Sequence, residues 1–246
     1  MSKKEQKEVA VKENLDIQTA VEIPNGLSFG LETVTSKDIK IPLIYIAQAM
    51  SKVCADGLAT QGDIVENMEN RVLGGKKGPA KVIPFYFQKS YQVQKIVNGK
   101  KEFHAIQPYD SERPYEEEKD GTTYFNYPCF NFFVLVVGDE TKSKYMLSFR
   151  GSRNINSAGR PMLTQLMNSV QRGVPPYACA YDIGVKQVEN EKGKWFVFTA
   201  NADRDVKVPT DVMSSAALEA KNLQSMLSQG ASIQTGEEAL DEEAPF

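Results

Sequence analysis

From Ile39 onward the apolar residues come in short runs separated by turn residues, and most of these runs predict strands rather than helices. "IKIPLIYIAQAM" (39–50) predicts a short strand, and "QGDIVENMENRVLGG" (61–75) a hairpin or short strand closed by Gly74 and Gly75. Residues 80–97 predict one long strand. The Asn98-Gly99 pair then predicts a tight reversal, because both residues tolerate positive φ, and 101–107 predicts the return. Residues 109–121 hold six acids and two bases and predict a solvated loop. A second long strand follows at 122–138, with Pro128 placing it at an edge or a bulge, and "SKYMLSFR" (143–150) predicts a further strand.

The period changes after Arg150. Ser157 is placed to cap a helix and Pro161 suits its first turn. Met162, Leu166 and Val170 recur at i, i+4 and i+8, and Gly173 ends the element. "PPYACAYDIGVKQV" and "KWFVFTAN" predict a final hairpin, and 210–230 predicts a second helix with a polar outer face. The organisation expected is a mobile N-terminal arm (1–36), a β domain (37–209), a C-terminal helix (210–230) and a disordered tail (231–246). Strands interrupted by one helix before a last hairpin predict a mostly β chain. The expected architecture is a Greek-key barrel of OB-fold type with one inserted helix and a C-terminal helix.

Composition narrows the classes. The chain has 246 residues, 41% hydrophobic and 25% charged, enough for one sizeable core. The longest apolar run, "FFVLVV" (132–137), falls far short of the roughly 20 residues that span a bilayer. The N-terminus mixes Lys and Glu without an apolar segment, so no secretory signal is read and no membrane partner is expected. The three cysteines lie far apart and His104 is the single histidine, which argues against a zinc site and a disulfide framework and for a reducing cytoplasm.

Charge is unevenly spread. The net charge is −3, but residues 229–246 hold five of the 32 acids and no base, leaving 29 bases against 27 acids, or +2, in the rest. A mildly basic body carries an acidic tail.

Catalytic chemistry finds little support. Asp63 with Glu66, or Asp139 with Glu140, would be the metal-binding carboxylates of a nuclease, but each pair sits beside a glycine in a predicted turn. His104 has no triad partners, and "LGGKKGPAK" lacks phosphate-loop spacing. Neither an enzyme nor a cofactor is expected. Aromatics interleaved with bases on the strands carry a different chemistry. Bases of an unpaired strand stack on rings and phosphates meet Lys or Arg, without regard to sequence. The candidates are Tyr86, Tyr91, Tyr145 and Trp195 as platforms, with Lys81, Lys89, Lys144, Arg150 and Arg153 as phosphate contacts. Phe85, Phe87, Phe130, Phe132, Phe133 and Phe149 are assigned to the core. The tail adds a third feature: five carboxylates precede Ala244-Pro245-Phe246, where an apolar ring stands beside a terminal carboxylate.

"DEEAPF" resembles the acidic tip of bacterial single-stranded DNA-binding proteins, and "IPLIYIAQAMS…GDIVENMENRVLGG…VIPFYFQKSY" is similar to the N-terminal part of phage single-stranded DNA-binding proteins of OB-fold type. The resemblance implies a protein that coats single-stranded DNA in replication, recombination and repair. It also implies that Asp241, Glu242, Glu243, Pro245 and Phe246 recruit a polymerase, helicase or primase. A homo-oligomer is compatible with this reading. The rival expectation is a scaffold of a phage replication or recombination complex, with all its aromatics in the core and no DNA affinity.

Overall fold

A computed structural model describes residues 41–228 except 140, 142, 192 and 204, all within one unit of the chain, Thr35–Phe246. The expected arm (1–36) and tail (231–246) lie outside the described residues, as do the tip residues Asp241, Glu242, Glu243, Pro245 and Phe246. The strands are β1 (Leu43–Ile46), β2 (Ile64–Glu66), β3 (Val72–Gly74), β4 (Ala80–Val97), β5 (Lys100–Pro108), β6 (Glu116–Lys119), β7 (Thr122–Val136), β8 (Lys144–Arg150), β9 (Ala180–Asn190) and β10 (Gly193–Asp203). They form one sheet in the order β10-β9-β4-β7-β8-β1-β2-β3, with β5 added to β4 and β6 added to β7. The helices are α1 (Lys52–Ala55), α2 (Gly151–Asn154), α3 (Arg160–Gln171) and α4 (Thr210–Ser228), and a π-turn (Ile155–Gly159) joins α2 to α3.

The long strands β4 and β7 organise the sheet. They pair antiparallel from Val82 opposite Val136 to Lys95 opposite Tyr124. Near its start β4 also pairs with β9, and near its end with β5. On the far side, β7 pairs with β8 over Cys129–Leu135 and with β6 over Thr122–Phe125. The distal halves of the pair thus become a four-stranded arm, β5-β4-β7-β6. Its tip is the Asn98-Gly99 turn, with φ of 52° and 76° as the dipeptide requires. Pro128 falls between the stretches of β7 that pair with β6 and with β8, where a missing N–H costs nothing on that edge.

Strict alternation fails at one point. The register shifts between Pro84 and Tyr86, so Phe85 and Tyr86 both lean on Phe133, at ring separations of 6.5 and 5.9 Å. Beyond the bulge, Phe87 packs with Phe132 on the opposite face. The main core lies on that face: Phe132, Val134, Tyr145, Leu147 and Phe149 of β7–β8 meet Tyr181 and Ile183 of β9 and Phe196 and Phe198 of β10, with Ile155, Met162 and Leu166 closing over them. On the outer face, Ala216 and Leu223 of α4 bury Phe85, Phe133 and Met146. The C-terminal helix is therefore part of the packed body, not an appendage to it.

The curl brings β1 towards β10 without a continuous ladder, and side chains fill the gap. The Gln48 amide donates to the Phe196 carbonyl (3.0 Å) and accepts from its N–H (3.1 Å). Asn154 Oδ1 accepts from the Phe198 N–H (2.9 Å), and Ser157 Oγ donates to the Phe198 carbonyl (2.7 Å). The helical stretch begins at Gly151, ahead of the sequence expectation, and Ser157 sits inside it as a strand-edge donor, not as a cap. The chain is a mostly β protein built on a curled, half-barrel sheet with few helices.

Candidate nucleic-acid interface

The base of the arm carries a compact group of rings and one ammonium. Tyr91 of β4 is 6% exposed; its hydroxyl donates to the Asp110 carbonyl (2.8 Å) and its ring lies flat against Tyr109, 5.2 Å away at 16°. Tyr109, in the loop after β5, is 42% exposed and offers its other side to solvent. Exposed Lys89 places its Nζ 5.0 Å from the Tyr109 ring and 5.4 Å from Phe130, which it faces across the ladder. Among the described residues Lys89 has no carboxylate partner. Cation–π contact holds the ammonium over the rings while leaving it free to meet an anion. Burial, then the neighbouring Tyr109 and Asp110, pushes the Tyr91 phenol above its ordinary value, so it stays a neutral donor.

Adjacent to this group runs the helical stretch 151–159. A Cβ at Gly159 would stand 3.4 Å from Phe130 and 3.2 Å from Phe149, so a glycine lets the π-turn lie directly on β7 and β8. On its other side the stretch meets β10, where exposed Arg153 sits 4.4 Å from the ring centre of Trp195. Two cation–aromatic pairs thus flank the same helical stretch. Their setting is basic: between Glu140 and Asp182 the sequence holds six bases and no acid. That local run is the signal that reading strand by strand missed, and it is hidden in the net charge of −3.

The structure divides the residues singled out from sequence. Lys89, Tyr91, Arg153 and Trp195 gather around the junction of arm and helix, although Trp195 is only 5% exposed and serves there through the guanidinium above it. Arg150 lies near the junction but on the outer face of the sheet. The other four do not join. Tyr145, 1% exposed, is core; its hydroxyl donates to Asp139 (2.7 Å) and accepts from Arg71, so its ring offers no face to a base. Tyr86 packs edge-on against Phe133 in the cluster that α4 covers. Lys144 pairs with Glu219 of α4 at 2.8 Å. Lys81 is held between Asp182 and Asp203, a group with a local charge of −1 that repels phosphate. Tyr109, in the segment expected as a solvated loop, and Phe130, expected in the core, complete the ring group around Lys89.

Of the carboxylates considered for metal binding, Asp63, Glu66 and Asp139 accept hydrogen bonds from turn residues and neighbours, and Glu140 lies outside the described residues. Asp63 accepts from the Thr60 N–H and hydroxyl, both at 2.8 Å. Glu66 accepts the N–H groups of Met68, Glu69 and Arg71 at 2.8–3.1 Å. Asp139 accepts from Arg71, Thr141 and Tyr145. The segment 116–119, expected as loop, is strand β6: the free edge of β7 recruits "EEEK" against its poor intrinsic preference. A cleft of about 570 Å³ between Leu58, Thr60, Asp63, Val72 and Lys77 lies at β2–β3 and shares no residue with the ring cluster. No helix among the described residues is long and apolar enough to cross a membrane.

Fold and site together define a mostly β protein with an aromatic, cation-bearing arm and an acid-free helical flank. The chain belongs to the Pam3 phage gp34-like protein family, which it matches over residues 12–232. No curated protein and no solved structure matches it.

Proposed function

We propose that this protein binds single-stranded nucleic acid, with single-stranded DNA as the substrate, without strong sequence preference, and that its barrel is an elaborated OB-fold. Topology supports the second part. β4, β7 and β8 form an antiparallel meander, α2–α3 follows, and β9 returns to pair with β4 while β10 pairs with β9. Numbering these five as an OB barrel gives the spatial order 5-4-1-2-3 with the helix between the third and fourth strands. β1 lies parallel to β8, where the barrel would otherwise close on β10. In this correspondence the arm elaborates the loop between the first two barrel strands, one of the two loops with which OB-folds hold oligonucleotides.

The observation that carries the reading is the pairing of cations that have no carboxylate partner among the described residues with rings on both sides of the acid-free helical stretch: Lys89 with Tyr109 and Phe130, and Arg153 with Trp195. Rings there supply stacking, worth about 1–3 kcal/mol per base, and the cations supply phosphate contacts that no base sequence alters. Recruitment of replication enzymes through the acidic C-terminal tip belongs to the same proposal. Fluorescence titration with oligo-dT and with duplex of equal length, at low and raised salt, tests it. Binding is expected to favour the single strand and to weaken linearly in log affinity against log salt. No binding at low salt, or equal affinity for duplex, overturns the proposal.

A further inference from the structure

The outer face of the sheet, on the far side from the Lys89 group, carries a polar row that packing does not explain. Residues facing each other across β4, β7 and β8 are Ser90, Cys129 and Arg150 in one row and Gln88, Asn131 and Ser148 in the next. Ser90, Asn131 and Ser148 are buried and satisfy one another: Asn131 Nδ2 donates to Ser90 Oγ and Ser148 Oγ donates to Asn131 Oδ1, both at 2.7 Å. Two side chains at the end of this network make little use of their hydrogen-bonding groups among the described residues. Arg150 is half-buried, and its guanidinium makes one long contact, Nε to Ser148 Oγ at 3.4 Å; neither Nη donates to a protein group among the described residues, and none supplies a carboxylate. Gln92, diagonal to Cys129 and 5% exposed, forms no side-chain hydrogen bond among the described residues. Neither the Arg150 guanidinium nor the Gln92 amide is among the buried side-chain groups left without a partner, so their free donors keep a face open to a ligand. Burial pushes the Arg150 guanidinium down from its ordinary value, and the Cys129 thiol beside it up. The Arg150 shift is one that a bound anion would reverse, and the Cys129 shift marks the burial the two groups share.

The surroundings say what kind of anion. Gln92 faces Tyr127 across the ladder, and Tyr127 continues into an aromatic patch with Phe125 and Tyr115, the last 54% exposed. Lys101 lies over Phe125 at 3.9 Å and donates to the Tyr127 hydroxyl at 2.8 Å, again with no carboxylate of its own among the described residues. A guanidinium fork, an amide and an ammonium beside exposed rings match a phosphate whose nucleoside lies alongside.

We propose that Arg150 and Gln92 form a phosphate-binding crevice on the outer face of the arm's base, taking one phosphodiester of a bound single strand with a base towards Tyr127. It rests on the single-strand reading above and adds a contact face that the Lys89–Arg153 side does not need. The source of the phosphate, strand or free nucleotide, is separated by the probe used.

The test uses the full chain as wild type, Arg150→Leu, Arg150→Lys and Gln92→Leu, with oligo-dT across a salt series and, separately, with thymidine monophosphate and inorganic phosphate in a thermal-shift assay. Arg150→Leu is expected to lower affinity for oligo-dT and to reduce the salt slope by about 1. Arg150→Lys should keep the slope but bind more weakly through loss of the fork, and Gln92→Leu should weaken binding with the slope unchanged. Without ligand, Arg150→Leu and Gln92→Leu should melt close to the wild-type temperature, because neither side chain holds the fold through a strong hydrogen bond or ion pair among the described residues. A melting temperature that falls in both Leu variants makes the residues structural and overturns the crevice. So does an unchanged slope and affinity in a folded Arg150→Leu. Stabilisation of wild type by phosphate or the mononucleotide, lost in Arg150→Leu, with oligo-dT affinity unaffected, would assign the crevice to free phosphates and overturn its place on the strand. Failure of wild type itself to bind oligo-dT overturns the single-strand reading, whichever way the phosphate assay falls.

Discussion

At the scale of single residues, the sorting of the tyrosines decides most. Tyr145 and Tyr109 are both tyrosines near bases in the sequence, yet one closes a buried polar triad and the other shows a ring to solvent. In the triad Arg71 bonds both Asp139, at 2.8 Å, and the Tyr145 hydroxyl, joining the β2–β3 hairpin to the β7–β8 turn. Burial alone would raise the Asp139 carboxyl, but hydrogen bonds from Tyr145, Thr141 and Arg71 outweigh it and hold the group at about 2, against an ordinary 3.8. A depressed carboxyl stabilises the fold wherever it is ionised in both states, and that stability is lost as pH falls from the unfolded value through the folded one. The triad should therefore contribute about 2 kcal/mol at neutral pH, lost between about pH 4 and pH 2. Urea midpoints of wild type and Asp139→Asn across that range check this: the variant should be weaker at neutral pH, and the gap should close in acid. A gap that stays constant to pH 2 would contradict it. Nothing in the sequence marked Arg71 as the partner, because 68 residues separate it from Asp139.

At the scale of elements, much was legible because local chemistry decided it. The span of β4, the Asn98-Gly99 reversal, β8, the last hairpin and α4 follow from period and turn residues. What was not legible depends on neighbours. β6 exists because β7 has an edge to fill, and the bulge at Pro84–Tyr86 turns the successive rings Phe85 and Tyr86 to the same core, so alternation read from Lys81 to Lys95 mixes two faces. The approach of β1 to β10 in the curled sheet is of the same kind. Gln48 behaves as one residue of a missing strand, meeting both backbone groups of Phe196 from 148 residues away. Gln48→Ala leaves that N–H and carbonyl unpaired at the edge of the core and should cost roughly 1–3 kcal/mol. The urea midpoint should fall while the slope of the transition holds, since the surface exposed on unfolding hardly changes. No shift in midpoint would mean that water replaces the amide at no cost and that the edge is already open.

At the scale of the whole molecule, the charge distribution links the site to the tail. The acid-free stretch between Glu140 and Asp182 builds a basic flank on a chain whose net charge is −3, and the compensating acids concentrate at the C-terminus, with five in residues 229–246. Deleting 229–246 changes the net charge from −3 to +2. If Lys89, Arg150 and Arg153 meet phosphates, tethered carboxylates compete for the same cations by Coulomb attraction, and their removal should tighten binding of oligo-dT or leave it unchanged. The difference should shrink as salt screens both interactions, over a Debye length of about 10 Å at 0.1 M. The same truncation should abolish capture of a replication enzyme that the full chain retains, since the proposed tip goes with it. Titration of both forms at two salt concentrations, with pull-down of a polymerase, helicase or primase alongside, reads the two effects independently. Truncation that weakens oligo-dT binding at low salt would mean that the tail supports the strand's site instead of competing for it, and the division into a basic body and an acidic recruiting tail would fall.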